Sequence, residues 1–264
     1  VAKRRLDTLL ADRGLYDSRS RAAAAVMAGE VRLGTDGRRA DKPGQLVAED
    51  VAVAVPEDEP YVSRGGIKLA NALEALRLDP AGRRALDVGA STGGFTDCLL
   101  RRGAEAVVAV DVAYGELHWD LRQDPRVIVI ERRNARSLAC EELPFRPDLV
   151  VADVSFISLT KVLPAVLACA AERFDCLALV KPQFEVGRER VGGGGVVRSA
   201  DNRRSALLGV GGFARDELGV SVLGYASSGL PGPAGNRESF VWLAEEGRAG
   251  ALEDLDPAAR RVEP

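Results

Sequence analysis

The chain has 264 residues, 46% hydrophobic and 28% charged, enough for one large domain beside a small one and unlike a disordered or fibrous protein. One histidine and four cysteines without a C-x-x-C pair exclude a histidine-rich zinc site, disfavour a Ser-His-Asp triad and leave no metal expected. The net charge of −3 argues against a uniformly basic nucleic-acid binder, yet residues 1–45 hold ten Lys and Arg against six acids, an excess masked by Glu57-Asp58-Glu59 and Glu245-Glu246.

The first expected element is a helix over 3–13, where Leu6, Leu9 and Leu10 share a face and Gly14 stops the run. Ser18 is an N-cap for a second helix, Arg19–Ala28, closed by Gly29. A strand at Glu30–Leu33, the turn Thr35-Asp36-Gly37 and a strand at Val51–Val55 complete a module assigned to residues 1–58, with a linker at 59–63. From residue 64 the pattern changes to a helix over Ile67–Leu78, then strands at Arg84–Val88, Ala106–Val112, Val127–Glu131, Leu149–Val154 and Cys176–Val180. Helices at Phe95–Arg102 and Leu159–Arg173 fall between them, an alternation that predicts an α/β, mostly parallel, doubly wound sheet. A helix at Asn202–Leu218 and strands at Val220–Ala226 and Ser239–Ala244, around a Gly/Pro-rich turn, predict a closing antiparallel hairpin. This large domain is assigned to 64–250, with a C-terminal tail at 251–264. No run reaches the roughly 20 apolar residues of a membrane span and no signal peptide opens the chain. A cytoplasmic protein is expected, with Cys98, Cys140, Cys169 and Cys176 as reduced, mostly buried thiols.

Residues 86–100, L-D-V-G-A-S-T-G-G-F-T-D-C-L-L, place a glycine-rich turn between a strand and a helix, where missing Cβ atoms admit a ligand. The spacing is not G-x-G-x-x-G, and a tight turn that binds nothing is the competing reading. Asp111 ends the next strand, where an acid can bond a ribose diol; a nicotinamide dehydrogenase places one there too, so the cofactor stays open at this point. Four charged residues stand in distinct strings: Lys68 in S-R-G-G-I-K-L-A, Asp153 in V-V-A-D-V-S-F-I-S, Lys181 in L-A-L-V-K-P-Q-F-E and Glu238 in G-N-R-E-S-F-V-W-L. The carboxyl ends of parallel strands line the ligand crevice, which gathers Asp153 and Lys181 there. Any one of the four alone is equally a surface ion-pair residue. The glycine-rich segment 183–198 reads as a lid, an RNA-contacting loop or a plain solvated loop.

The string K-R-R-L-D-T-L-L-A-D-R-G-L-Y-D-S-R-S-R-A resembles the small RNA-binding domain first known from ribosomal protein S-four, and its Arg4, Arg19 and Arg21 suit phosphate contacts. G-A-S-T-G-G-F-T and D-V-A-Y-G-E-L resemble the TlyA family of ribosomal RNA methyltransferases, also labelled hemolysin A, whose catalytic domain is related to FtsJ-type ribose methyltransferases. The resemblance implies a Rossmann-like class I domain with a seven-stranded sheet. It also implies S-adenosylmethionine held by Asp87, Gly89, Ala90, Ser91, Thr92, Gly93, Gly94, Phe95, Asp111, Val112, Asn134 and Asp153. Lys68, Asp153, Lys181 and Glu238 match in order the Lys-Asp-Lys-Glu set of those enzymes. A ribose hydroxyl is a poor nucleophile that needs in-line alignment and proton removal. The match makes Lys181 the base or hydroxyl-orienting group, tuned by Lys68, with Asp153 and Glu238 positioning both amines; a lysine acts as base only where its pKa is lowered. Ribosomal RNA or ribosomal subunits are the implied partner, through cytidine ribose. The alternatives are a pore-forming haemolysin, which the absence of an apolar span disfavours, and an RNA-binding protein without methyltransferase activity. The linker, Glu59-Pro60-Tyr61-Val62, departs from the Arg-Ala-Trp-Val type of segment in relatives.

Overall fold

Short, locally capped segments build the first sixty residues, and long apolar strands build the rest. The computed structural model describes residues 3–16, 18–55 and 60–263. Residues 56–59, with the acidic cluster Glu57-Asp58-Glu59 and the start of the expected linker, lie outside the described residues. The chain forms two units, divided between Glu59 and Pro60.

The first unit runs β1 (Lys3–Arg5), α1 (Leu6–Asp12), α2 (Arg19–Ala28), β2 (Arg32–Leu33), β3 (Arg38–Arg39), β4 (Leu46–Ala48) and β5 (Val53–Ala54). The helix expected over 3–13 begins only at Leu6. Residues 3–5 instead pair antiparallel with β4, and the Leu6 and Asp7 amides donate to Gln45 and Pro43 carbonyls, so long-range partners take the first turn's donors. Ser18 caps α2, its side chain accepting from the Arg21 amide at 3.2 Å, and Gly29 closes it at φ +79°. Leu6, Leu9, Leu10, Ala22, Val26 and Val31 form this unit's own core.

The second unit continues with α3 (Arg64–Leu76), β6 (Arg84–Val88), α4 (Gly94–Arg101), β7 (Ala106–Val110), α5 (Trp119–Gln123), β8 (Val127–Ile130), β9 (Leu149–Ala152), α6 (Leu163–Ala168), β10 (Asp175–Val180), α7 (Pro182–Glu185), α8 (Ala200–Leu218), β11 (Ser221–Pro231), β12 (Arg237–Ala244) and α9 (Asp256–Val262). Seven strands form one sheet in the order β11-β12-β10-β9-β6-β7-β8, parallel except where β12 meets β10 and β11. Both faces are buried, which is why these strands read as continuous apolar runs. Alternate residues feed opposite layers: Val150 and Ala152 face one core cluster, Leu149 and Val151 the other. The first layer includes α6, α8 and α9, and the second α3 and α4. Residues 251–264, expected as a tail, carry α9, whose Ala258 and Ala259 are buried in the first layer.

The expectation for the cysteines is overturned. Cys140 and Cys169 form a disulfide with their Cα atoms 4.8 Å apart, so the four thiols are not all reduced. The two are 29 residues apart, and spacing alone reveals no pairing; the fold brings the turn after β8 against the end of α6. Cys98 and Cys176 are free and buried, and burial pushes their thiols up to about 11 and about 12, which makes them poor nucleophiles.

Candidate active site

The turn after β6 sets the geometry of a cleft at the carboxyl ends of the strands. Gly89 and Gly93 sit at φ +82° and +96°, a region that favours glycine. A Cβ on Gly89 would lie 2.3 Å from the Asp153 backbone oxygen, and one on Gly93 2.3 Å from a Leu121 methyl. The segment after β9 and the helix α5 thus already disfavour a side chain at these two positions. Beside them opens a cleft of about 400 Å³.

Of the twelve residues expected around a cofactor, Gly89, Ser91, Asp111, Val112, Asn134 and Asp153 line this cleft. Asp111 is held by two backbone donors, the Ser91 amide at 2.7 Å and the Ala113 amide at 2.8 Å. Asn134 serves as a turn former as well, its Oδ1 capping the 3-10 turn Ala135–Ser137 by accepting from the Arg136 amide at 3.0 Å. Thr92 is exposed, while Ala90, Gly93, Gly94 and Phe95 are buried, the Phe95 ring packing 5.8 Å from that of Phe240. Asp87 lies wholly buried. The Thr96 hydroxyl donates to its Oδ2 at 2.6 Å, but its Oδ1 has no partner. Burial pushes this carboxyl up to about 7, against the Thr96 hydrogen bond and with some help from the charge of Asp153.

The four charged residues form two pairs. Lys68 Nζ, on α3, lies 2.5 Å from Glu238 Oε2 on β12, and both side chains are buried. Lys181, directly after β10, places Nζ 2.5 Å from Asp153 Oδ1 and donates to Ser155 Oγ at 2.8 Å. The Asp153 contact is off the line that a hydrogen bond needs, so it is a close ion pair whose directional partner is Ser155. Because β12 runs antiparallel to β10 with Val180 opposite Ser239, Lys181 and Glu238 emerge at the same end of neighbouring strands.

Several residues at the site were not singled out from sequence. Glu116 and Arg133 line the cleft, and Ser155 holds Lys181. Phe156 is 91% exposed at φ +63°, with its ring 5.3 Å from that of Phe184. An aromatic side chain held open beside a cleft offers a stacking face. Its sequence signal was an aromatic residue between serines immediately past a strand end.

In the first unit, the arginines assigned to phosphates have acidic neighbours. Arg4 pairs with Asp12 and with Glu49 at 3.3 Å, and Arg19 lies 3.1 Å from Asp7. Arg5 and then Arg19 hold the buried Asp7 carboxyl well below the usual carboxylate range. Arg21 is exposed on α2.

A doubly wound sheet with a single antiparallel strand inserted near its edge, an acid after its second strand and a lysine paired with a carboxylate of the cleft wall define a Rossmann-like methyltransferase. The FtsJ-like methyltransferase family matches residues 61–245, and the S4 domain matches residues 4–53. A curated relative from Mycobacterium tuberculosis, 16S/23S rRNA (cytidine-2'-O)-methyltransferase TlyA, is 51% identical over 98% of this chain and 96% of its own length. Hemolysin A of Brachyspira hyodysenteriae is 35% identical over 89% of this chain and 97% of its own. The solved structure of a candidate hemolysin from Streptococcus thermophilus superposes with a TM-score of 0.75 at 39% identity, covering 98% of this chain and 94% of that one. The chain belongs to the TlyA family of FtsJ-like methyltransferases.

Proposed function

We propose that this protein transfers a methyl group from S-adenosylmethionine to the ribose 2′-hydroxyl of a cytidine in ribosomal RNA, acting in the cytoplasm on ribosomal subunits. The observation that carries the reading is the pairing of Lys181 with Asp153, which lines the cleft, and of Lys68 with Glu238, whose strand neighbours that of Lys181. The activity named for the 51% identical relative supports it.

The cleft fits the cofactor by its donor set. Asp111, already aimed by two backbone amides, suits the ribose diol, and Val112 with Asn134 suits the adenine. Asp87, at the end of β6 before the turn, keeps a partnerless Oδ1 that would suit an ammonium group of the cofactor. S-adenosylmethionine supplies there an electrophilic methyl group on a sulfonium. The chain itself orients the acceptor. Ser155 takes one direction around Lys181 Nζ and Asp153 lies beside it as counter-ion, which leaves Nζ room to hold the 2′-hydroxyl and orient its oxygen for in-line attack. Lys68 and Glu238, locked together and shielded from water, hold a fixed charge distribution beside that reaction. Residues 1–58 dock RNA, 59–63 connect, and the domain from 64 carries the chemistry, with 251–264 as its C-terminal segment.

The test is radiolabelled methyl transfer to each purified ribosomal subunit, followed by nucleoside analysis. Label in 2′-O-methylcytidine is expected; label on a base, or none on either subunit, overturns the reading. The pore-forming alternative finds no helix among the described residues long and apolar enough to cross a membrane, and a liposome-leakage assay run alongside is expected to stay silent.

A further inference from the structure

The segment that leaves the active site after Lys181 returns to it. It starts at α7, where Glu185 accepts from the Ser158 hydroxyl at 2.6 Å and the Leu159 amide at 2.8 Å. It then crosses the exposed run Gly187–Arg190 and the glycines 192–195 before entering α8. Its far foot is gripped from two sides. Asn236, 2% exposed, accepts from the Val197 amide at 2.9 Å and donates to the Gly195 carbonyl at 2.8 Å. A single side-chain amide thus supplies both halves of a backbone-like pairing. Arg203 on α8 donates to the Val197 and Arg198 carbonyls at 3.3 and 2.6 Å, and it is held in turn by Glu263 at 2.7 Å. Arg203 and Glu263 are both buried, so this pair is directional rather than a solvated surface contact.

Asn236 stands two residues before Glu238, immediately ahead of β12, the strand that neighbours β10 and hence Lys181. We propose that Asn236 is a positioning residue for RNA methylation, tying the glycine-rich flap that follows Lys181 to the strand that carries Glu238, with Arg203 and Glu263 bracing the same foot from behind. The flap's exposed middle has little side-chain bulk to fix its path, since four consecutive glycines span it. Its position over an acceptor strand therefore depends on its anchored ends. A loosened foot leaves cofactor binding intact, because the cleft is built from other segments, while the acceptor ribose is presented less often in line. The Asn236 amide is needed as donor and acceptor at once, so a carboxylate in its place keeps only half the grip.

The inference rests on the catalytic reading of Lys181 and Glu238, and Lys181→Ala measured in parallel separates the two: an active Lys181→Ala variant sinks that reading, not this one. The experiment is steady-state methylation of ribosomal subunits by the full chain, with S-adenosylmethionine affinity measured independently by calorimetry. Asn236→Ala is expected to lower kcat/KM for the RNA at least tenfold with cofactor affinity within twofold, and Asn236→Asp to fall between it and wild type. Glu263→Gln reaches the same foot from a side remote from the chemistry and is expected to lower kcat/KM about threefold, again with cofactor affinity kept. Hydrogen exchange at residues 190–198 should quicken in each variant. Unchanged kcat and KM in Asn236→Ala overturn the proposal. So does a parallel loss of cofactor affinity and RNA turnover, which marks a merely structural role. If Asn236→Ala fails to fold, Glu263→Gln decides in the same way, and normal turnover with quickened exchange at 190–198 overturns the proposal.

Discussion

Lys181 has the most direct consequence. Its ammonium touches Asp153 at the cleft wall and Ser155, rather than Asp111 or Asn134, which would grip the adenosine. Lys181→Ala is therefore expected to reduce methyl transfer at least a thousandfold while leaving S-adenosylmethionine affinity within a few-fold; near-normal turnover would remove it from the chemistry. Gly89 carries a different lesson. Valine there meets the Asp153 backbone at an already unfavourable φ, so the variant pushes the Asp153 segment away from Lys181 as well as straining the turn. Calorimetry is expected to show lost cofactor binding together with a lower Tm, and a folded variant with unchanged affinity contradicts this. Asp87 adds a pH signature. Its folded carboxyl titrates near 7 against 3.8 for the ordinary group, so between those values the folded state binds more protons than the unfolded one. Stability of the cofactor-free protein should thus decline as pH rises from about 4 to 7, and the decline should be shallower in Asp87→Asn. Thermal melts across that window check the slope; equal slopes in both proteins refute the assignment.

Among the secondary-structure elements, legibility tracked burial. β6 was expected over Arg84–Val88 and lies there, because an apolar run flanked by Arg and Gly can be little else. β7 and β9 stop two residues earlier than their apolar composition suggests, since Asp111 and Asp153 turn out to the cleft. β1 was hidden because three consecutive basic residues carry no apolar alternation and pair only through β4, more than forty residues on. The helix expected over Leu159–Arg173 is a 3-10 turn followed by the shorter α6, with Pro164 at the start of the regular helix. The four charged residues stood out through their strings, whereas their division into two ion pairs did not, since that depends on strand direction. Ser155 and Phe156 were missed because loop residues obey no period. The Cys140–Cys169 bridge, spanning 29 residues, joins the turn beyond Asn134 to α6. Cys169→Ser is expected to lower unfolding stability by about 3–4 kcal/mol in non-reducing buffer and by much less with reductant present. Equal stability of the two proteins without reductant would mean the bridge contributes nothing.

Across the whole chain, charge and chemistry are divided between the two units. Residues 60–264 hold the cleft and both lysine pairs, so this fragment should bind S-adenosylmethionine with near-normal affinity yet methylate ribosomal subunits poorly; full-rate methylation by it would give the first unit another role. Arg4 and Arg19 already face carboxylates, so a phosphate must compete for them. Replacing Arg4, Arg19 and Arg21 together by alanine should flatten the salt dependence of subunit binding by fewer than the roughly three units that three unpaired cations would give, as filter binding across a salt series can show. The sheet order has its own consequence for how the molecule is made. β12 is the latest strand in the sequence among the described residues, yet it lies inside the sheet between β10 and β11. A chain still emerging from the ribosome can assemble β6 to β10, but β10 keeps an open edge and Lys68 lacks its carboxylate until residues beyond 237 have cleared the exit tunnel. On the proposed reading, synthesis would complete the cofactor cleft first and the Lys68–Glu238 pair last, and a nascent chain stalled short of β12 should capture S-adenosylmethionine without being able to methylate the ribosome that is making it.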